Sequence, residues 1–226
     1  RRHDIAVMIT VAPEATSPDQ IATLSDMGAI VSIGHTDARA DVVETAIAAG
    51  ASCATHLFNA MSPMTGRAPG AVGAVINSQV RSGIICDGYH VDDRMIALAI
   101  RARPAEDLMF LVSDAMATVG GPNQFDIYGR DVHLEQGRLI NADGNLAGAH
   151  VTQAQGVARL VHHVGVSAQT ALRMAITTPA QIVGQSRLAS VIAQDIRNLI
   201  VMSDSFRETK AFADVLAQAV AHDAAE

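Results

Sequence analysis

A chain of 226 residues, 49% of them hydrophobic and with a net charge of −7, is long enough to bury a substantial core. No apolar run approaches the roughly 20 residues needed to cross a membrane, and an acidic balance without a dense Lys/Arg cluster argues against nucleic acid as a partner. With no Trp and 3% aromatic residues, stacking platforms for bases or sugar rings would be sparse.

The start, Arg1-Arg2-His3-Asp4, leads into strand-like sequence rather than a secretory signal. Ile5 to Val11 reads as a strand, closed by Ala12-Pro13-Glu14. Ser17-Pro18-Asp19-Gln20 supplies an N-cap, a first-turn proline and an early acid, so a helix is predicted from there to Gly28. Ala29–Ile33 is the next strand, followed by Gly34-His35-Thr36-Asp37 and a helix over Ala38–Ala49. Ser52–Thr55 is a short strand ending at His56. The alternation resumes with a strand at Ser82–Cys86, the loop Asp87–His90, a helix over Asp92–Ala102 and a strand at Leu108–Val112. Strands alternating with helices of this length point to βαβ units and a parallel sheet.

Between Gln124 and Asn145 the rhythm breaks. Phe125–Leu134 and Arg138–Ile140 there predict an antiparallel hairpin. Helices over Thr152–Val164 and Ser167–Val183, a strand at Asn198–Met202 and an Ala-rich helix or frayed tail over Ala211–Glu226 complete the chain. Cys53 and Cys86 fall inside predicted buried strands and read as reduced core thiols, which points to the cytosol.

The chemistry-bearing residues sit where strands end, the position that carries active sites in parallel αβ barrels. His35 and His56 end consecutive strands, and neutral imidazoles converging on one rim suit a metal such as zinc. Asp114 emerges directly from a buried strand, placed to take a proton from metal-activated water and return it to a leaving group, or to cap the next segment. Arg67, on a loop with Gly66, Pro69 and Gly70, is either presented to a phosphate or carboxylate or is an ordinary solvated arginine. His90 either orients a substrate oxygen or is a structural loop histidine. Leu146-Ala147-Gly148-Ala149 either brings backbone amides to a ligand or turns into the helix at Thr152.

Taken in order, Ala12-Pro13-Glu14, Gly34-His35-Thr36-Asp37-Ala38, Thr55-His56-Leu57-Phe58-Asn59-Ala60-Met61, Gly66-Arg67, Asp87-Gly88-Tyr89-His90-Val91, Val112-Ser113-Asp114-Ala115, Leu146-Ala147-Gly148 and Thr178-Pro179-Ala180 closely resemble the N-acetylglucosamine-6-phosphate deacetylases of the amidohydrolase superfamily. The resemblance implies an α/β, (β/α)8 TIM-type barrel that uses a divalent metal to remove the N-acetyl group of N-acetylglucosamine 6-phosphate. Zinc is the first candidate, with iron, manganese and cobalt as alternatives. It makes His35 and His56 metal ligands and Asp114 the general base and then acid. It makes Asn59, Ala60 and Arg67 contacts to the substrate phosphate, with Arg67 reaching across a homodimer interface. Asp87, Gly88, Tyr89 and His90 line the sugar site, and Leu146, Ala147 and Gly148 close over it. Small-molecule substrate, cytoplasmic location and no nucleic-acid or membrane partner complete the expectation.

The family's metal-binding glutamate belongs to a motif upstream of the position matching Arg1, and Glu14 belongs to a different motif. The barrel is therefore expected without its N-terminal strands and most of the small β domain. The expected division is a catalytic portion over 1–188, with the inserted hairpin, and a return segment and helical tail over 189–226. Two alternatives stand beside it: a related amidohydrolase acting on another N-acyl sugar or a cyclic amide, and a truncated, non-catalytic sugar-phosphate-binding protein.

Overall fold

A computed structural model describes residues 5–206 and 208–223, with the side chains of 219–223 excepted. His3, the side chain of His222 and the last residues of the expected C-terminal helix lie outside the described part. Five strands, β1 (Met8–Val11), β2 (Ile30–Ile33), β3 (Cys53–Ala54), β4 (Arg81–Ile85) and β5 (Met109–Val112), form one parallel sheet in the order β1-β2-β3-β4-β5. The order never reverses. Winding in one direction is that of a barrel, whereas a doubly wound sheet turns back at a switch point. Among the described residues the sheet stays open, with β1 and β5 as its edges.

Helices cover one face. Ser17 starts α1 (Pro18–Asp26) with a reciprocal cap, its Oγ accepting from Gln20 N–H while its own N–H reaches the Gln20 side chain at 2.9 Å. Next come α2 (Ala40–Ala48), α3 (Gly70–Asn77) and α4 (Asp93–Ala102), the last capped by Asp92. Val31, Ile33, Ala54, Ile84, Met109 and Leu111 project from the sheet onto these helices, where Ile21, Val43 and Ile96 are buried with them. Truncating a buried side chain such as Ile96 to alanine belongs to the class of changes that cost about 2–5 kcal/mol.

Three features differ from the sequence expectation. The first is α3, which the sequence does not predict. All of its residues from Gly70 to Ile76 are buried, so it shows no polar face and no amphipathic period. Gly70 opens it at φ 60°, and a Cβ there would stand 2.5 Å from the Pro63 carbonyl oxygen.

Second, the insertion is a three-stranded antiparallel sheet, β6 (Gln124–Ile127), β7 (Arg130–Glu135) and β8 (Arg138–Asn141), not a two-stranded hairpin. The run expected as one strand is broken at Tyr128-Gly129, both at positive φ, which is the conformation of a tight hairpin turn. Third, the two long C-terminal helices are interrupted. One is α5 (Gln153–Arg159) running into a π-helical turn at Leu160–Val164. The other is α6 (Ala168–Leu172), a π-helical turn at Arg173–Thr177, then α7 (Thr178–Ile182).

The end of the described chain carries β9 (Ile200–Met202), paired antiparallel with β10 (Thr209–Ala211), and α8 (Phe212–Asp223). Leu188, Val191, Ile192 and Ile200 around this segment are all exposed. No described helix is long and apolar enough to cross a membrane.

Arg103, just past α4, turns its guanidinium inward and donates to the carbonyls of Val75 and Val80, which close the C-terminal end of α3. Burial lowers its pKa to about 10, so it keeps its charge at neutral pH. Arg103→Ala is expected to cost about 2 kcal/mol, since the Val80 carbonyl loses its donor at about 1–3 kcal/mol while the Val75 carbonyl keeps the Ser78 N–H and hydroxyl. A lower urea midpoint with an unchanged m-value would report it.

Candidate active site

The register of the sheet sets the site. Ile33 pairs with Ala54, so His35 and His56, each two residues further on, leave the sheet at one level. Ile85 pairs with Val112, which brings Asp87 and Asp114 to a common level in the same way. Each chain then has to turn sharply. His35 (φ 49°), His56 (φ 29°), Phe58 (φ 78°), Ala60 (φ 48°) and Asp114 (φ 51°) are all non-glycine residues in left-handed conformation. Such backbone costs of order 1–3 kcal/mol per residue and clusters at functional sites.

The two imidazoles meet: His35 Nε2 and His56 Nε2 are 2.8 Å apart, with ring centroids at 4.7 Å. His56 is buried, and its Nδ1 has no hydrogen-bond partner. Its pKa is lowered, by burial first and also by the neighbouring His35, while the nearby Asp114 charge acts in the opposite direction. A neutral His56 is the form that ligates a metal.

The facing Nε2 atoms suit two positions in a metal's coordination shell. Two nitrogens on a tetrahedral zinc would stand about 3.3 Å apart, so the rings need part only slightly. No group of three or more His, Cys, Asp or Glu side chains able to hold a metal occurs among the described residues. The residues present therefore fit a metal as a pair and leave its shell unfinished.

Glu14 braces this corner, a role its sequence motif does not disclose. Its carboxylate accepts from the Thr36 hydroxyl and, at 2.8 Å, from Asp37 N–H. Thr36 is further held by its N–H to the Ala60 carbonyl at 2.9 Å and by its own carbonyl accepting from Ser62 N–H. The turn containing His35 is thus tied to β1 on one side and to the 59–62 segment on the other. Partial desolvation pushes the Glu14 carboxyl up, but the bonds from Thr36, its own backbone and Asp37 outweigh it and hold the pKa below the ordinary value.

The 87–90 loop is organised by Asp87. Its carboxylate accepts from Tyr89 N–H and His90 N–H, both at 2.9 Å, and from His90 Nδ1 at 2.6 Å. Both side chains are nearly closed off, 6% exposed for Asp87 and 7% for His90. Burial raises the Asp87 pKa, yet these bonds lower it more, so the carboxylate stays ionised and Nδ1 must carry the proton. His90 Nε2 makes no hydrogen bond among the described residues, while Asp87 is fully engaged in holding the loop. Gly88, at φ 85°, lies under the Arg159 guanidinium, and a Cβ there would come within 2.2 Å of Arg159 Cζ.

The remaining sequence candidates divide. Asn59 folds its amide back towards the His56 and Leu57 carbonyls, at 3.3 and 3.4 Å. Asp114 is exposed and its carboxylate makes no hydrogen bond among the described residues, although Ala149 N–H holds its backbone carbonyl at 2.9 Å. Leu146–Gly148 run beside it through that same pairing of Ala149 with Ala115. Arg67 is not brought to this rim. It lies exposed in a depression of about 590 Å³ with Asp37, Arg39, Glu44 and Pro63.

A singly wound parallel sheet with histidines and carboxylates on its C-terminal rim defines the chain as a barrel-type α/β protein built for polar chemistry on its loops. Its relatives are specific. The chain is similar to N-acetylglucosamine-6-phosphate deacetylases. It is 34% identical to the enzyme of that name from Haemophilus influenzae over 90% of this chain and 54% of the relative. It is 39% identical to an N-acetylgalactosamine-6-phosphate deacetylase from a Shewanella species over 84% of this chain and 49% of the relative. The crystal structure of the Pasteurella multocida N-acetylglucosamine-6-phosphate deacetylase superposes with a TM-score of 0.84 at 37% identity, covering 91% of this chain and 55% of that one. The chain thus spans about half the length of the relatives it matches. No protein-family model matches it.

Because the folded Glu14 pKa is depressed, its stabilisation is fully present above the unfolded value of about 4.3 and fades as pH falls through the folded one. Wild type is therefore expected to be more stable than Glu14→Ala at pH 7, with the difference narrowing below about pH 4. Urea midpoints of both proteins from pH 7 down to 3 measure this.

Proposed function

We propose that this chain carries the catalytic rim of an enzyme that hydrolyses the N-acetyl group of N-acetylglucosamine 6-phosphate to glucosamine 6-phosphate and acetate, as a cytoplasmic homodimer. The facing His35–His56 pair with the unengaged Asp114 beside it is the observation that carries this reading. His35 and His56 would hold a divalent cation, zinc before iron, manganese or cobalt, which supplies Lewis-acid polarisation of the amide carbonyl. Asp114 accepts the proton of the attacking water and then delivers it to the departing amine. Its exposure and lack of hydrogen bonds leave both carboxylate oxygens available for that shuttle.

His90, held as the Nδ1–H tautomer by Asp87, presents Nε2 to a sugar hydroxyl or to the N-acyl group. Leu146 to Gly148 border the same rim beside Asp114. Asn59 and the Ala60 backbone would take the phosphate, which requires the Asn59 amide to leave its carbonyl contacts. Arg67 has no ion-pair partner among the described residues and lies exposed, away from its own subunit's histidine pair. This supports a role at the phosphate of a second copy.

The similarity to an N-acetylgalactosamine-6-phosphate deacetylase favours one second reading, the epimeric sugar phosphate. Amine release from both sugars by the purified chain with added zinc, with chelator, and for Asp114→Asn tests the assignment. Turnover of the gluco substrate, abolished by chelator and reduced at least about 100-fold in Asp114→Asn, is expected. A preference for the galacto epimer would move the substrate assignment. Absence of turnover on either sugar would refute activity of this chain by itself.

A further inference from the structure

We infer that Tyr89 is a positioning residue, a latch joining the inserted sheet β6–β8 to the loop that bears His90. Its hydroxyl donates to the Gln136 carbonyl at 2.9 Å, in the tight turn between β7 and β8. Gln136 (φ 51°) and Gly137 (φ 80°) give that turn its shape, and a Cβ on Gly137 would lie 2.8 Å from the Tyr89 hydroxyl. The turn thus comes close against the end of the ring. The other end of Tyr89 is equally constrained, because its N–H donates to the Asp87 carboxylate that also orients His90.

The inserted sheet needs such a tether. Its strands pack chiefly on one another and not on the helices or the main sheet. From β8 the chain of bonds continues to the rim: Ala147 N–H donates to Leu139 O at 3.0 Å, and Ile140 bridges to Leu146. Ala149 N–H donates to Asp114 O at 2.9 Å, and Met116 N–H returns to Ala149 O at 3.1 Å. The path from His90 through Tyr89, the β7–β8 turn, β8 and residues 146–149 to Asp114 is a continuous run of contacts. Among the described residues, the Tyr89 hydroxyl makes the one side-chain hydrogen bond that joins the inserted sheet to the His90 loop. Beside the latch is a cavity of about 430 Å³, lined by Asp87, Tyr89, Gly137, His150 and Arg159 among others. An opening of the latch would enlarge this space.

Loss of the Tyr89 bond lets the inserted sheet and loop 146–149 move independently of the His90 loop. The latch rests on the deacetylase reading only for the identity of the sugar phosphate. Tyr89→Phe removes the hydroxyl and keeps the ring. Tyr128→Phe is the control, since Tyr128 caps the neighbouring β6–β7 turn at 96% exposure.

Backbone hydrogen exchange of the full chain is the readout. In Tyr89→Phe, exchange at residues 136–149 is expected to rise about three- to tenfold, as for one net hydrogen bond, with β1–β5 unchanged and Tyr128→Phe like wild type. No rise, or an equal rise throughout the main sheet, would overturn the latch. With N-acetylglucosamine 6-phosphate added, wild type is expected to gain protection at 87–90 and 146–149 together, and Tyr89→Phe at 87–90 alone. Equal protection of both segments in the two proteins would overturn the coupling. Protection in neither protein would count against the sugar-phosphate reading, and the ligand-free comparison would still decide the latch.

Discussion

The rest of the molecule depends on the parallel, unreversed pairing of β1 to β5. Parallel strands have to be joined by crossovers, so every strand delivers its C-terminal end to one edge and every helix returns the chain along one face. Local sequence then decides only what stands at the edge. The pairing also fixes level: His35 with His56, and Asp87 with Asp114, are set by the partners Ile33–Ala54 and Ile85–Val112. A stagger enters between β3 and β4, where Ala54 pairs with Ser82 rather than with Ile85. The histidine pair and the aspartate pair are therefore offset along the rim, as strands in a tilted, barrel-like sheet are.

Three carboxylates stand on that rim, and their hydrogen bonds divide the labour. Glu14 and Asp87 are consumed by backbone N–H groups and by a neighbouring Thr or His, so both are held ionised and immobile. A carboxylate with several donors has its charge satisfied and is poorly suited to pick up a proton. Asp114 has no such partners. Its immobility comes through its backbone carbonyl, bound by Ala149, which leaves the acid itself free. The same logic separates the histidines. His90 is oriented by Asp87, whereas His56 keeps an unpartnered Nδ1 and a ring nitrogen turned to His35.

Strand ends and helix caps were legible in the sequence because their signals are local. Ser17-Pro18 starts α1, Asp92 caps α4, and the apolar runs before His35, His56 and Asp114 are strands. The α3 helix was not legible, because a helix buried on all sides loses the periodicity that reveals a helix, and its Gly-rich start reads as loop. The insertion's third strand was hidden because Tyr128 adopts a left-handed turn that its residue type does not announce. Glu14 as a brace was invisible for another reason: its donors are met by tertiary approach, across 22 residues in the case of Thr36. The donors of Asp87 all lie within three residues of it, in a local turn of the kind that Asp side chains favour.

Across β1 to β3 the two faces of the sheet are chemically unlike, and the difference explains why the histidines lie where they do. On the helix face Val31, Ile33, Ala54, Ile84 and Leu111 are apolar and buried. On the other face, β1, β2 and the end of β3 contribute Thr10, Ser32 and Thr55. Thr55 Oγ1 lies 2.9 Å from Thr10 Oγ1 and 2.7 Å from Ser32 Oγ. These hydroxyls satisfy one another and form a polar floor just below the histidine level. Gly34 passes directly over that floor, where a Cβ would come within 2.8 Å of Thr55 Cβ and 3.0 Å of Thr10 Cγ2. A larger residue at 34 would lift the following turn and carry His35 away from His56. The Gly-His pair is thus one device: the glycine lets the backbone lie close to the floor, and that closeness brings the imidazole to its partner. A hydroxyl-lined face is also one that gains less from apolar burial than from shape and hydrogen bonding, which suits the inner wall of a site better than the interior of a core.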